Sequence, residues 1–273
     1  MGARGRAHEA GAWCPRPGPR ALLACPPVRA PVDTIAAPPF PGGLPWVNVA
    51  PLRMDKQHGR PVLVEFWDFA RALSLRTLPY LRAWHERYAA DGLRVIGVHA
   101  PGYAVSRDPD AVRAACARLA VEHPVVVDSE LKVWRLYGNH GWPARYLFGP
   151  DLRLHSYHLG PGGFLETELA VAHLLGVERE PLAPLRPQDA PDAALVTPTP
   201  DQEGAWSGPY EAGGAWALVD GAGVLEVNGR PLAVQGPACL PLVEHERHSA
   251  GVLDLAPGPG VTCHGVQFTP GVA

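Results

Sequence analysis

Residues 61–90, PVLVEFWDFARALSLRTLPYLRAWHERYAA, carry the clearest fold signal in the chain. The first seven of these residues form a short apolar run rich in β-branched and aromatic side chains, which is typical of a buried strand. Further along, apolar side chains recur every three or four positions, the spacing of one helical face: Leu75, Leu78, Leu81, Trp84 and Tyr88. The stretch therefore predicts a buried strand that enters an amphipathic helix through a turn at residues 68–75.

The same alternation of strands and helices continues towards the C-terminus. Apolar runs at 93–98 and 125–127 predict two further strands, and Asp108 followed by Pro109 provides an N-cap and a first-turn proline for a helix between them. The pattern then predicts a helix over 129–137, strands over 144–148 and 153–158, and a helix over 164–175. The order β-α-β-α-β-α-β-β-α predicts an α/β domain whose mixed sheet carries helices on both faces.

Two proline-rich segments divide the chain. Residues 1–45 contain ten prolines, a density that removes helix and ladder hydrogen bonds and predicts a disordered arm or a misassigned start. Residues 177–203 contain six more and predict a stiff, extended linker. The α/β domain is therefore expected over residues 46–176, with a second module over 204–273.

The second module has the pattern of an all-β structure. The helical period disappears after the linker, and short apolar segments alternate with turn signals. The two strongest signals are Asp220-Gly221 and Asn228-Gly229, dipeptides that favour two-residue hairpin turns. We expect a small partial β-sandwich with six short strands, over 216–219, 224–227, 232–234, 240–243, 252–255 and 261–268.

Composition excludes several classes of protein. Hydrophobic residues make up 47% of the 273 residues and charged residues 19%, which is typical of a globular chain. The net charge of −3 lacks the positive field that sequence-independent nucleic-acid binding requires, so no nucleic-acid partner is predicted. Apolar runs are too short to predict a transmembrane segment or a signal peptide. A cytoplasmic location is favoured, and an extracytoplasmic one stays open if the start is misassigned.

Four ordered motifs make residues 40–176 resemble the thioredoxin-like redoxin domain of TlpA- and DipZ-type thiol-disulfide proteins. The motifs are 62–67 (VLVEFW), 76–81 (RTLPYL), 97–101 (GVHAP) and 137–144 (YGNHGWPA). Because the four occur in order and at compatible spacing, together they are more specific than any one of them. The resemblance implies a thioredoxin-like mixed sheet for the α/β domain.

The chain departs from this family at the two cysteines of the active site. The family carries a Cys-x-x-Cys pair just before the RTLPY motif, and counting back from Arg76 places the two positions at Arg71 and Ser74. Dithiol exchange needs an attacking thiolate and a resolving thiol at one helix N-terminus, so this chemistry is expected to be lost. We predict no catalytic residue, no cofactor and no metal.

The resemblance places the remaining residues of the former active-site groove around this turn. Pro143 aligns with the family's cis-proline, and Glu65 aligns with a buried carboxylate that moves protons for the second cysteine. Without that cysteine, we expect Glu65 to be a buried, hydrogen-bonded carboxylate. The other residues expected at the groove are Trp67, Arg71, Ser74, Arg76, His140 and Trp142.

Arg71 and Arg76 lead to one further prediction. A helix N-terminus presents free N–H groups, and the two guanidinium groups would add positive charge where the thiolate lies in the family. The arrangement predicts an anion site, and the alternative is that both arginines are solvated.

The cysteines of this chain are scattered and form neither a disulfide framework nor a zinc motif: Cys14, Cys25, Cys116, Cys239 and Cys263. Cys116 falls on the apolar face of its helix and is expected to be buried and inert. A pairing of Cys239 with Cys263 across strands stays open, because spacing alone cannot place two sulfurs within bonding distance.

Three functions from different classes fit these observations. The first is a non-catalytic thioredoxin-like protein that binds a peptide, protein or small ligand in the former groove. The second is a thiol-disulfide oxidoreductase that works through a remote thiol, Cys239 or Cys263, or through a partner such as a membrane thiol reductant. The third is glycan binding, because residues 240–269 loosely resemble the carbohydrate-binding-like domain of some DipZ-type proteins. Its candidate stacking residues are Trp206, Tyr210 and Trp216, although a role as core or lid residues is favoured for them.

Overall fold

The computed structural model describes residues 34–273, which lie in one compact unit. The predicted disordered arm therefore falls largely outside the described residues, and only 34–45 can be compared. These residues pair with the chain near the edge of the sheet: the Ala37 N–H donates to the Leu152 carbonyl (2.9 Å) and the Leu154 N–H donates to the Ile35 carbonyl (2.8 Å). This backbone pairing corrects the prediction of disorder for that part of the arm.

An α/β unit is built around a six-stranded sheet. Its elements are β1 (Trp46–Val47), β2 (Val62–Trp67), α1 (Ala72–Tyr88), β3 (Arg94–His99), α2 (Pro109–Arg118), β4 (Val125–Val127), α3 (Lys132–Leu136), β5 (Ala144–Phe148), β6 (Leu154–Leu159) and α4 (Phe164–Leu175). The strand order is β1-β4-β3-β2-β5-β6. The central strands β2, β3 and β4 run parallel, and the outer strands pair antiparallel. The predicted mixed α/β sheet is confirmed.

Helices cover both faces of this sheet because side chains along each strand alternate. In β2, Leu63 and Trp67 pack on one face with α1, α2 and α4, whereas Val64 and Phe66 pack on the other face with α3 and residues 37–54. The turn from β2 into α1 is therefore held at the carboxyl edge of a sheet that is buried on both sides.

Capping residues explain where two of the helices begin. The Asp108 carboxylate accepts a backbone N–H of the first turn of α2 (3.0 Å), and Pro109 occupies that turn, as predicted. α3 is shorter than the predicted 129–137 because Leu131 has a left-handed φ of 55°, and the helix starts where the Asp128 carboxylate accepts two N–H groups (2.7 and 2.8 Å).

Among residues 34–273, none of the helices has the length and apolar character that a membrane span requires.

The proline-rich segment 177–203 packs against the α/β unit. The Leu182 N–H donates to the buried Glu168 carboxylate (2.9 Å), and the Leu185 N–H donates to the Tyr80 hydroxyl (2.8 Å). The prolines keep most of the backbone free of regular structure, while these hydrogen bonds dock it. The segment is therefore a docked connection and not only a stiff spacer.

All remaining strands lie within residues 195–273, which we name the β module. They are β7 (Leu195–Val196), β8 (Gln202–Glu203), β9 (Gly208–Val227), β10 (Arg230–Gln235), β11 (Ala238–Leu253), β12 (Leu255–Pro257), β13 (Val261–Thr269) and β14 (Gly271–Val272). The central strand β9 pairs with β10, β11, β12 and β13 along its length. The expected all-β character is confirmed, although β9 and β11 are much longer than the short strands predicted.

Of the two predicted hairpin turns, one is confirmed and one is wrong. Asn228 and Gly229 both have positive φ (50° and 73°) and join β9 to β10. Asp220-Gly221 instead lies inside β9. Gly221 has a φ of 90°, and a side chain there would collide with the Gly260 carbonyl of the neighbouring turn. Glycine is needed at this position because the two backbones approach closely, and the chain does not reverse its direction here.

Candidate functional site

The residues expected at the family's two cysteine positions, Arg71 and Ser74, lie at the N-terminus of α1. Arg71 is the N-cap residue, with an extended backbone, and Ser74 lies in the first helical turn. Arg71 is half-buried, whereas Ser74 is fully buried and its hydroxyl accepts the Asp68 N–H (3.2 Å). Position 71 is thus reachable from solvent, as an attacking group would need to be, and position 74 is enclosed, as suits a resolving group.

The facing wall of the groove is the loop before β5. The Trp142–Pro143 peptide bond is cis, at the position expected for the family's cis-proline. Trp142 Nε1 donates to the Ala100 carbonyl (2.8 Å), which ties this loop to the end of β3. Pro143 is buried and His140, in the same loop, is exposed. The structure therefore brings Arg71, Trp142 and Pro143 together, with His140 at the rim.

The Arg71 guanidinium fills the space between these walls. Its Cζ lies 4.1 Å from the centre of the Trp142 ring and 5.1 Å from the centre of the Tyr103 ring. Gly102 leaves room for it, since a Cβ there would lie 2.5 Å from Arg71 Nη2. Cation–π contacts contribute about 0.5–1 kcal/mol at exposed sites and more where water is excluded. The Arg71 side chain thus lines the groove, in contact with Trp142 and Tyr103.

Two buried residues that the sequence analysis did not single out, Asp68 and His99, hold the turn in place. Asp68 accepts the Ala70 N–H (2.9 Å) and the Gly102 N–H (2.7 Å) through its two oxygens. His99 Nε2 accepts the Phe69 N–H (3.3 Å) and lies 3.5 Å from Asp68 Oδ1. Both residues lie at the carboxyl ends of two adjacent parallel strands, the edge of a sheet where functional side chains collect. They could have been predicted from the sequence on that ground.

The β module closes the site from the side of α1. Gln267 of β13 donates through Nε2 to the Ala70 carbonyl (2.6 Å) and accepts through Oε1 from the Ala72 N–H (2.9 Å). Arg76 donates to Thr269 Oγ1 (2.8 Å) and is only 8% exposed. Because a carboxamide already occupies the helix N-terminus and Arg76 is covered, the predicted anion site is wrong.

Glu65 and Trp67 lie in the core of the sheet and not in the groove, since both side chains are fully buried. Among the described residues, neither carboxylate oxygen of Glu65 has a hydrogen-bond partner, so the expected hydrogen-bonded carboxylate is not found. Burial raises the pKa of Glu65 to about 8, although the Arg145 guanidinium on β5 acts to lower it. The carboxyl group is therefore largely protonated at neutral pH.

Comparison with known proteins identifies the α/β unit. No family model matches the chain. Over 172 residues it is 32% identical to protein DipZ of Mycobacterium bovis, a match that covers 60% of this chain and 25% of DipZ. Over 138 residues it is 26% identical to the thiol-disulfide oxidoreductase YkuV of Bacillus subtilis, covering 50% of this chain and 93% of YkuV. The α/β unit is a thioredoxin-like redoxin domain of the TlpA/DipZ type.

The match covers part of this chain and a smaller part of DipZ. The chain spans about a quarter of the length of DipZ. A solved thioredoxin-like protein in its oxidized form is 26% identical, with a TM-score of 0.48, over 52% of this chain and 97% of that protein. By sequence, the redoxin domain is related to the thiol-disulfide oxidoreductase YkuV, and Arg71 and Ser74 are the residues expected at the two cysteine positions.

None of the described thiols replaces the missing pair. Cys239 of β11 and Cys263 of β13 lie on opposite sides of β9, and both are free and buried, as is Cys116. Burial raises the pKa of Cys239, and the nearby Asp68 carboxylate acts in the same direction. Burial also raises the pKa of Cys116, to about 12. The Cys239–Cys263 pairing left open by the sequence is therefore absent, and these thiols remain protonated at neutral pH.

Two of the three aromatic candidates for glycan stacking are packed inside the protein, and the third, Trp206, is partly buried. Tyr210 is 4% exposed and Trp216 is 8% exposed. Trp206 packs edge-on against Phe268, with ring centres 5.7 Å apart. Trp216 and Cys239 belong to the same apolar cluster as the redoxin core, so this face of the β module is used to dock the redoxin domain.

Gln267→Ala is expected to lower the free energy of unfolding by about 1–3 kcal/mol. The substitution leaves the buried Ala70 carbonyl and Ala72 N–H without partners, so their desolvation is no longer offset. The measurement is urea unfolding, and the control is Gln235→Ala, which removes an exposed glutamine of β10 and should change stability by less than about 0.5 kcal/mol. Equal stability of the two variants would mean that the Gln267 bridge contributes nothing.

Proposed function

We propose that the protein is a non-catalytic thioredoxin-like protein that has lost dithiol-disulfide chemistry and binds a peptide, protein or small ligand at the former groove. The observation that carries the proposal is the pair Arg71 and Ser74 at the N-terminus of α1. A guanidinium cannot attack a disulfide, and a hydroxyl cannot resolve a mixed one. The fold of the redoxin domain remains intact around positions that no longer do this chemistry.

The residues that form the surface of the groove suit the binding of a peptide or a protein segment. Its surface consists of the half-buried Arg71, Tyr103 and Trp142, together with the exposed Gly102 and His140. Tryptophan, tyrosine and arginine are the residue types that most often dominate the binding energy of protein interfaces. Their clustering on a rigid scaffold supports peptide or protein binding over binding of a small polar metabolite.

The rival function is thiol-disulfide exchange through a remote thiol. Cys239 is the described thiol that lies beside the groove, near enough for the charges of Asp68 and Arg71 to affect its pKa. It is buried and its pKa is raised, which opposes a nucleophilic role. The rival therefore needs the β module to move away or a partner, such as a membrane thiol reductant, to bring its own thiols.

An insulin-reduction assay with dithiothreitol as the recycling reductant separates the two functions. We expect the wild-type protein to reduce insulin no faster than a variant in which all five cysteines are replaced by serine, because no described cysteine is a reactive thiolate. Turnover above that of the cysteine-free variant would overturn the loss of dithiol chemistry.

Binding at the groove is tested with a peptide library screened against the full chain. Peptides that bind the wild-type protein should bind Arg71→Ala at least about fivefold more weakly, since loss of an interface hot spot costs more than about 1 kcal/mol. The control is Arg113→Ala, an exposed arginine on α2. Peptides that bind all three proteins equally, or a library without binders, would count against the groove.

Glycan binding by the β module is the weaker candidate because Tyr210 and Trp216 are buried and Trp206 is partly buried against Phe268. Binding to a glycan array that Trp206→Ala abolishes would favour it over the groove.

A further inference from the structure

Outside the groove, the start of helix α4 presents a row of free backbone N–H groups. The loop at residues 160–163, GPGG, joins β6 to α4, and Gly163 is the N-cap residue, with a left-handed φ of 62°. Within residues 34–273, the N–H groups of residues 162–166 have no hydrogen-bond acceptor. Free N–H groups and the helix dipole together favour negative charge at such a helix end.

A buried guanidinium reaches the same helix end from beneath. Arg145 of β5 is only 2% exposed, and its Nη2 donates to the carbonyl of Gly162, the residue just before the N-cap. Its Cζ lies 4.8 Å from the centre of the ring of Phe164, the first residue of α4. Among the described residues Nη1 has no partner, although buried polar atoms nearly always have one. A buried, unpartnered cationic donor therefore lies against the free N–H groups.

The acidic side chains near Arg145 leave this charge without a direct partner. Glu65 is opposite Arg145 in the pairing of β2 with β5, and neither of its carboxylate oxygens has a hydrogen-bond partner within residues 34–273. Glu166 is exposed in the first turn of α4, where its carboxylate competes for the same N–H groups. Because a buried charge without an ion pair is costly, an anion at this helix end would stabilise Arg145.

We propose that the N-terminus of α4 binds a small oxyanion of the phosphate and sulfate class, with the N–H groups of residues 162–166 on its oxygens and Arg145 beneath them. Hydrogen bonds from N–H groups to an ionised acceptor are stronger than those to a neutral one. The Arg145 charge acts through a buried, low-dielectric environment, so it does not need to be exposed. The ring of His158 fixes the loop, since its Nε2 lies 3.0 Å from the Pro161 carbonyl oxygen.

The first test is a calorimetric titration of the full chain with sodium phosphate at about pH 7 and low ionic strength. Arg145→Met keeps the apolar stem of the side chain and removes its charge, so we expect it to bind phosphate at least about tenfold more weakly than the wild-type protein. The matched control is Arg113→Met, which removes an exposed arginine of α2 and should leave the affinity unchanged.

A second variant tests the site even if Arg145→Met does not fold. Glu166→Gln changes an exposed side chain and removes the competing carboxylate, so phosphate should bind about two- to fivefold more tightly. The matched control is Glu178→Gln, an exposed glutamate beyond the end of α4, which should bind phosphate as the wild-type protein does.

Nuclear magnetic resonance of the full chain locates the ion. Adding sodium phosphate should shift the amide signals of residues 162–166. No shift at these amides, or equal phosphate affinity of the wild-type protein and Glu166→Gln, would overturn the site. Arg71→Ala, which alters the groove, should leave the phosphate affinity unchanged, so the result is independent of the proposed function. Loss of phosphate binding in Arg71→Ala would place the ion in the groove and overturn the site at α4.

Discussion

Replacing Arg71 and Ser74 together with cysteine is expected to create a working dithiol with insulin-reducing activity that the wild-type protein lacks. Position 71 is the N-cap of the 17-residue helix α1, and position 74 is enclosed in its first turn. A helix N-terminus lowers a cysteine pKa from ~8.5 to between roughly 3.5 and 7.5, so the thiol at position 71 should react at neutral pH. The thiol at position 74 should then resolve the mixed disulfide.

Controls for this prediction follow from the contacts of the groove. Each single variant, Arg71→Cys or Ser74→Cys, should form mixed disulfides without turnover. All variants should carry Cys239→Ser, because Cys239 lies beside Arg71 and could trap a new thiol. Adding Gln267→Ala should increase the reactivity of the thiol at position 71 towards a thiol reagent, since the β module closes this side of the turn. Cysteines that titrate near ~8.5 and refuse to pair would show that the register of this turn is wrong.

Stability of the wild-type protein is expected to fall as the pH rises from about 6.5 to about 8, because of Glu65. Its pKa in the folded state is raised from an ordinary value of 4.5 to about 8 by burial. Between these values the folded state keeps a proton that the unfolded state has released, so each increase in pH favours unfolding. At 1.36 kcal/mol per pH unit, the loss over this window is about 2 kcal/mol, and it levels off above pH 8.

The pH window of about 6.5 to about 8 separates the effect of Glu65 on stability from that of the buried histidines. Burial lowers the pKa of His123 to about 3, so this group stabilises the fold as the pH rises towards 6.5 and contributes little change above it. Glu65→Gln cannot release the proton, so its unfolding free energy should stay level between pH 6.5 and 8 in urea titrations. The control Glu178→Gln, at an exposed position, should keep the wild-type decline. A flat wild-type profile would mean that Glu65 is already ionised in the folded state.

Most secondary-structure elements of the redoxin domain were predictable from local sequence patterns. The strand and helix of residues 61–90, the capped start of α2 at Asp108 and the bounds of α4 (Phe164–Leu175) all follow from signals within a few residues of one another. The absence of cysteine from positions 71 and 74 was also visible in the sequence, because both positions lie in one continuous stretch just before the RTLPY motif. Such features depend on local hydrogen bonds and on one buried face, which a short segment already specifies.

The surroundings of this turn depend on contacts between distant parts of the chain. Gln267 reaches the Ala72 N–H across 195 residues, and no local pattern predicts that pairing. The long course of β9 through Asp220-Gly221 likewise depends on its neighbours in the sheet, which override the turn preference of that dipeptide. Contacts of this kind form between surfaces that exist only once both modules have folded. The amino-acid sequence thus established that residues 71 and 74 are not cysteines, and the packing of the β module decided that the side of the turn next to α1 is covered.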